Sequence, residues 1–364
     1  VTGMGRDTVL FTVNDTPVTA DEYLYWLLSS IAVAKQSGYL ADDAAWEETI
    51  DGTPTADYLK DAALDTALLY IVTGQQAEQA GIQLTQEEQD ELDTQLDNME
   101  MQLGLYYGIT MDDFLEQQCI TLETYRRQMV EIPTLAQKMM EDYEARGELT
   151  PTDEDMDAML EANQIYTCKH ILLAFPENED GSAVTDVQKA AVKAEADALL
   201  AQIRADADPA AAFDTSMEAR SDDGRDPETK KLYKPEGYTF YADGYLVDGT
   251  SALVSEFVTA GAALEVGEIS EPVETDYGYH ILMRVDSDNE ETRALYSDYA
   301  MNQKLGDWID QAKVEKTDAY AKLDTKLFYD NMLELARQWQ EELAAQQEAA
   351  AETGTPAPER DSPE

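Results

Sequence analysis

The chain holds only two histidines, and both stand in short apolar runs. His170 lies in Tyr166-Thr167-Cys168-Lys169-His170-Ile171-Leu172-Leu173. His280 lies in Asp276-Tyr277-Gly278-Tyr279-His280-Ile281-Leu282. Imidazole is the side chain best suited to proton and hydrogen-bond work near neutral pH. Two of them in strand-like runs of one segment can face each other across a sheet. The plain alternative is a pair of satisfied core histidines, and spacing alone does not separate the two. Cys119 and Cys168 are the only cysteines and fall in different expected domains. They form neither a disulfide framework nor a zinc spacing. Cys168 alternates with His170, so those two share a strand face. No EF-hand spacing is present. No metal and no cofactor are expected.

The elements that must position the histidines can be read from periodicity and turn residues. A strand at 166–173 leads to an acidic loop, Pro176 to Gly181. A helix at about 185–206 follows, with Val187, Val192, Ala196, Leu199, Leu200 and Ile203 as its apolar positions. A shorter helix carries Ala212, Phe213 and Met217. A polar loop runs from Ser221 to Pro227. Gly237 to Tyr241 reads as a strand, Val254 to Ala263 as a helix, and Tyr279 to Val285 as the last strand. The order is β-α-α-β-α-β, an α+β arrangement of about 120 residues, within single-domain size.

The flanks read differently. Residues 1–160 are mostly helical after one strand, Thr8 to Val13, which ends in a turn at Asn14-Asp15. Thr19 with Glu22, and Thr85 with Glu88, are capping boxes that open helices. The apolar positions from Thr110 through Met129 read as one further helix. Met and aromatic stripes at helical spacing are taken as core rather than groove. Residues 288–345 return to helix, with Trp308, Leu327 and Trp339 among the apolar positions. The stretch 346–364 is low in complexity and expected to be disordered.

Composition narrows the function. With 25 Lys+Arg against 76 Asp+Glu, the formal charge is −51 at pH 7. Such a surface repels phosphate backbones, so nucleic acid is excluded as a partner. It is also repelled by anionic lipid. No run of about 18 apolar residues is present to span a membrane. The first residue is Val1, which leads us to expect a removed targeting or anchoring segment.

The residues between 166 and 286 resemble the parvulin peptidyl-prolyl cis/trans isomerases. Lys169-His170-Ile171-Leu172-Leu173 looks like the opening strand of that family. Leu264-Glu265-Val266-Gly267-Glu268-Ile269-Ser270-Glu271-Pro272-Val273-Glu274-Thr275-Asp276-Tyr277-Gly278-Tyr279-His280-Ile281 is similar to its C-terminal half over a long stretch. The layout of the whole chain resembles the extracytoplasmic foldases of the PrsA and SurA types. The resemblance implies a parvulin domain at 164–287, a small antiparallel sheet with helices. It would be inserted in a mostly helical chaperone domain built from 1–160 and 288–345. It implies a catalytic set of His170, His280, Asp223 and Thr275. Leu253 and Phe257 would line a proline pocket, with Tyr277 at a nearby variable site. Phe240 is carried with them as substrate-binding. It ends Lys234-Pro235-Glu236-Gly237-Tyr238-Thr239-Phe240, which stands where the family has Gly-Gly-Asp-Leu-Gly.

The chemistry suits these residue types. An Xaa-Pro bond rotates over a barrier of about 18–20 kcal/mol set by amide resonance. No bond breaks, so a catalyst need only favour the twisted amide over both planar forms. An apolar pocket grips the ring, and Asp223 biases charge near the carbonyl. The resemblance also implies its partners: unfolded or partly folded exported proteins containing Xaa-Pro bonds. Membrane contact would come only through the removed N-terminal segment, and a homodimer stays open. The alternative is a non-enzymatic holdase in which the parvulin module is a weak or inactive scaffold.

Overall fold

The computed structural model describes residues 2–178 and 181–353. The chain folds as two compact units, Val1–Arg146 with Met301–Glu364, and Gly147–Ala300.

The first unit is built where the two ends of the chain meet. Strand Val9–Val13 lies between Thr16–Thr19 and Val314–Lys316, antiparallel to both. Asn14 and Asp15 take positive φ values of 52° and 63°, the conformation a tight hairpin turn requires. Thr19 then caps helix Ala20–Gln36, and Glu22 reciprocates. Thr85 and Glu88 do the same for helix Gln86–Gln102. Phe11, Tyr23, Leu27 and Ile31 share one core with Tyr320, Leu323 and Phe328. Lys60, on helix Thr55–Gln79, donates from its ammonium to the carbonyls of Tyr320 (2.6 Å) and Leu323 (3.0 Å). Strand Val314–Lys316 was not expected, because three residues show no period. The helix expected from Thr110 through Met129 is divided: Cys119, at φ 58°, separates Met111–Gln117 from Leu122–Tyr125. The last helix, Thr325–Thr353, passes position 346, where disorder was expected. That stretch is rich in Ala, Glu and Gln, which are strong helix formers. Residues 354–364 of the expected tail, and Glu179 and Asp180 of the acidic loop, lie outside the described residues.

The second unit holds a four-stranded antiparallel sheet. Its order is Tyr238–Tyr241, Ile165–Ala174, Gly278–Val285, Val273–Glu274. On one face Ile171, Leu173, Ile281 and Met283 pack against helices Asp186–Ala205 and Pro209–Arg220. On the other, Cys168, Phe240 and Leu282 pack against Phe257 and Val258 of helix Ser255–Ala263. Helix Asp153–Ala162 belongs to this unit, not to a helical domain ending at 160. Its Met156, Met159 and Leu160 are covered by Ile165, Leu295, Tyr296 and Tyr299.

Gly278 enables the central pairing. Its φ is 155°, and a Cβ there would sit 2.2 Å from the Leu173 carbonyl oxygen. Gly278→Ala is therefore expected to cost about 3 kcal/mol, the upper end of ordinary single-residue effects. Hydrogen exchange in strands Ile165–Ala174 and Gly278–Val285 should speed up accordingly, and unchanged protection there would refute the close-approach argument.

Candidate active site

Register puts the two histidines together. His170 pairs with Leu282, and His280 with Leu172, so the rings are diagonal neighbours on one face. Their Nδ1 atoms are 3.2 Å apart. Phe257 stands edge-on to both rings, with centroids 5.2 Å from His170 and 5.7 Å from His280. Beyond His280, its Nε2 lies 3.0 Å from the Thr275 hydroxyl. Thr275 is held by a tight turn: its N–H donates to the Gly278 carbonyl, and its hydroxyl accepts from the Tyr277 N–H.

Asp223 arrives from the other side through an edge contact. Strand Tyr238–Tyr241 covers Ile165–Ala174 only as far as Cys168. The rest of that edge is taken by Ser221 and Asp222. The Asp222 N–H donates to the Leu172 carbonyl, the Leu172 N–H to Ser221 Oγ, and the Ala174 N–H to Asp222 Oδ2. Asp223 follows directly, and its Oδ2 lies 3.1 Å from His170 Nε2. That nitrogen has no aligned hydrogen-bond partner, so the contact is a close approach rather than a formed hydrogen bond. The Tyr238 hydroxyl donates to the same carboxylate oxygen at 3.0 Å.

The charge states follow from this layout. Burial, followed by the charge of His170, lowers the His280 pKa to about 3, so the ring is neutral at physiological pH. Burial alone would raise the Asp223 carboxyl. The contacts with His170, the Gly224 N–H and Tyr238 outweigh it and hold the group below the usual carboxylate range. Burial, then the Asp223 charge, raises the Tyr238 phenol, which keeps its proton as a donor. If both rings are neutral, one proton direction is consistent with an ionised Asp223: Thr275 donates to His280, His280 to His170, and His170 faces Asp223 with its N–H. The opposite direction would aim a ring lone pair at a carboxylate.

The structure thus joins His170, His280, Thr275 and Asp223 in one chain of contacts. Leu253 is half-buried against the Phe240–Phe257 cluster. Phe257 forms the wall under the imidazoles. Phe240 is fully enclosed and stands behind Phe257 at 5.9 Å, so its place is in the core rather than against a substrate. Tyr277 is 64% exposed on the turn that positions Thr275. The sequence reading missed Tyr238 and Ser221. Alternation along Tyr238-Thr239-Phe240 puts Tyr238 on the histidine face, a signal usable only once its pairing with Cys168 is known. Cys168 is fully buried and its thiol is pushed up to about 12, which removes it as a nucleophile. Among the described residues, no three His, Cys, Asp or Glu groups converge as a metal site.

The His280 shift has a sign. Its folded pKa lies below the unfolded value of 6.5, so between 6.5 and about 3 the unfolded chain binds the extra proton. Stability contributed by neutral His280 is complete above this window and is lost as pH falls through it. Urea titrations across that range should therefore show a steeper acid loss for wild type than for His280→Gln, by about one proton. Parallel curves would mean that the ring is charged in the folded state.

Comparison with known proteins places this geometry. Residues 170–286 match the family described as "Rotamase: PPIC-type PPIASE domain". Foldase protein PrsA of Geobacillus sp. strain WCH70 is 33% identical over 87 residues, covering 24% of this chain and 29% of that protein. Foldase protein PrsA of Geobacillus kaustophilus is 34% identical over 103 residues, covering 24% of this chain and 37% of that protein. The matched stretches thus span well under half the length of these curated relatives. The crystal structure of PrsA from Bacillus subtilis aligns over 84% of this chain and 92% of its own, at 17% identity and a TM-score of 0.23. The segment that carries the histidine pair, Asp223 and Thr275 belongs to the PPIC-type parvulin family of peptidyl-prolyl isomerases.

Proposed function

We propose that the chain is a peptidyl-prolyl cis/trans isomerase and foldase acting on exported, unfolded or partly folded proteins with Xaa-Pro bonds. The observation that supports it best is the contact chain Thr275–His280–His170–Asp223–Tyr238 in a domain of PPIC type. A planar amide carries partial negative charge on oxygen and partial positive charge on nitrogen. Twisting the bond removes that resonance. A fixed carboxylate facing the carbonyl oxygen repels the planar forms more than the twisted one, which is differential stabilisation of the transition state. The histidine pair acts as a positioning device that holds Asp223 ionised and in place. Leu253 supplies apolar surroundings for the proline ring, with the enclosed Phe257 ring behind the imidazoles as support rather than as a contact.

The proposal includes an extracytoplasmic place of action, at the outer face of the membrane. Among the described residues no helix is long and apolar enough to cross a membrane. It also gives the helical segments of the first unit, which the contacts bound at Arg146 and Met301 rather than at 160 and 288, a chaperone role beside the catalytic role of the isomerase at 164–287. A holdase reading is kept alongside, because the first unit exposes Leu105, Tyr106 and Tyr107 to solvent. Aggregation suppression that survives deletion of 164–287 would favour it.

The test is cis/trans exchange on a panel of unphosphorylated Xaa-Pro peptides. Wild type should accelerate exchange, and Asp223→Ala and His280→Ala should each lose about tenfold or more, as removal of an electrostatic contributor does. No acceleration on any peptide would leave only the holdase reading. Matched peptides with phosphate on the residue before proline should gain nothing. Lys169, the basic residue on the opening strand, is already engaged by Asp214, and the surface is acidic. A strong phosphate gain would overturn that expectation.

A further inference from the structure

The end of helix Gln86–Gln102 displays apolar side chains that the fold could have buried. Met101 is 62% exposed, and Leu105, Tyr106 and Tyr107 are each more than 70% exposed. Among the described residues, nowhere else do three consecutive large apolar side chains stand exposed. The display is built rather than frayed. Leu103–Tyr107 is wound as a π-helical turn and closed by Gly108 at φ 68°. Single π turns of this kind recur at functional positions. Leu103 points inward and shares a core with Met111, Leu115 and Ile120, which anchors the turn from below. The Ile109 N–H donates back to the Leu103 carbonyl.

Charge decides what covers it. From Met101 to Met111 the sequence has no charged residue, in a chain that is 28% charged. The helix leading to this tip carries seven acidic residues and no basic one. Only Glu88 and Asp93 of these meet a cation among the described residues, Lys138 and Arg126 respectively. On the far side, helix Met111–Gln117 adds Asp112, Asp113 and Glu116. The surface is therefore an apolar, Tyr- and Met-bearing patch flanked in the chain by Asp97 and Glu100 before it and by Asp112 and Asp113 after it. Met adapts to varied apolar partners, and Tyr supplies large contact area at low conformational cost. A second copy of this chain would bring a second set of acidic flanks against the first, and net charge of −51 per chain opposes that. Anionic lipid is repelled in the same way.

We infer that this tip is a docking site for apolar segments of unfolded polypeptide that carry Lys or Arg on their flanks. The inference rests on the foldase reading for the kind of partner, and it is independent of catalysis. The surface lies in the first unit, whereas the isomerase residues lie in the second.

The test uses the full chain and three fluorescent peptides without proline, so that the isomerase site takes no part. One has a Leu/Phe centre with Lys flanks, one the same centre with Glu flanks, and one a Ser/Asn centre with Lys flanks. Anisotropy should show tightest binding of the first, weakened by salt. The triple variant Leu105→Ser, Tyr106→Ser, Tyr107→Ser should bind it about tenfold more weakly or worse, as loss of buried aromatic anchors does. Its exchange rate on a short Xaa-Pro peptide should be unchanged. Tyr106→Lys, a single exposed change that leaves the turn intact, should weaken the Lys-flanked peptide and not the Glu-flanked one. Unchanged affinity in these variants, or equal affinity for all three peptides, overturns the proposal. So does a change in sedimentation mass without a change in peptide affinity, which would assign the patch to self-association. Binding that persists in His280→Ala while exchange is lost would separate this docking from the isomerase reading.

Discussion

A 3.2 Å contact between two imidazole Nδ1 atoms can hold only one proton between them. Two charged rings at that distance would repel, so the site depends on keeping at least one of them neutral. Burial does this for His280, and the Phe257 ring against both imidazoles removes the water that would otherwise stabilise charge. The contact also requires one register. A one-residue slip between strands Ile165–Ala174 and Gly278–Val285 would send one histidine to the opposite face, among the helices Asp186–Ala205 and Pro209–Arg220. The close approach of Gly278 to Leu173 is part of what fixes that register.

The acidic partner is held by a different device. Asp223 belongs to no strand, yet Ser221 and Asp222 bond to the free edge of the opening strand almost as a strand would. Behind it, Arg225 reaches the carbonyls of Glu218 (2.6 Å) and Lys230 (2.8 Å), which ties the loop to the end of helix Pro209–Arg220. Tyr233 closes the same loop: its N–H donates to the Gly224 carbonyl, and its ring lies so near Gly224 that a Cβ there would meet it at 3.1 Å. A carboxylate on an irregular segment is thereby held beside the histidines by backbone contacts on both sides. Such fixation is what electrostatic preorganisation requires.

Most of what the sequence made legible was local. Capping boxes at Thr19 and Thr85 need only residues three apart, and the runs around His170 and His280 need only short-range patterning. The resemblance supplied Asp223 and Thr275, whose neighbours in sequence carry no sign of the histidines. Pairings across long separations were hidden. Val314–Lys316 joins a sheet whose partner is some three hundred positions earlier, and nothing in Val-Glu-Lys announces it. Tyr238 reads as an ordinary strand aromatic until the pairing with Cys168 sets it beside His170. Phe240, two residues on, shares that face but falls under Tyr166 and Phe257, away from solvent. Alternation gives a residue's face, and only register says what stands opposite.

The extreme acidity and the site chemistry are separate matters. A formal charge of −51 should push every carboxyl upward by mutual repulsion, yet Asp223 is held below the usual range. Distance resolves this. Surface charges farther away than about 10 Å are largely screened at ordinary ionic strength, while His170 and Tyr238 act at contact in a partly buried setting. The local network therefore sets the state of the carboxylate whatever the surface carries. Freed from the chemistry, the surface charge can act on partners. It favours partners that carry basic groups. Where it is interrupted, at the uncharged tip from Met101 to Met111, it leaves an apolar opening bordered in the chain by carboxylates. The chain thus carries two fields of different reach. One is long-ranged and sensitive to salt; the other is short-ranged and insulated by burial.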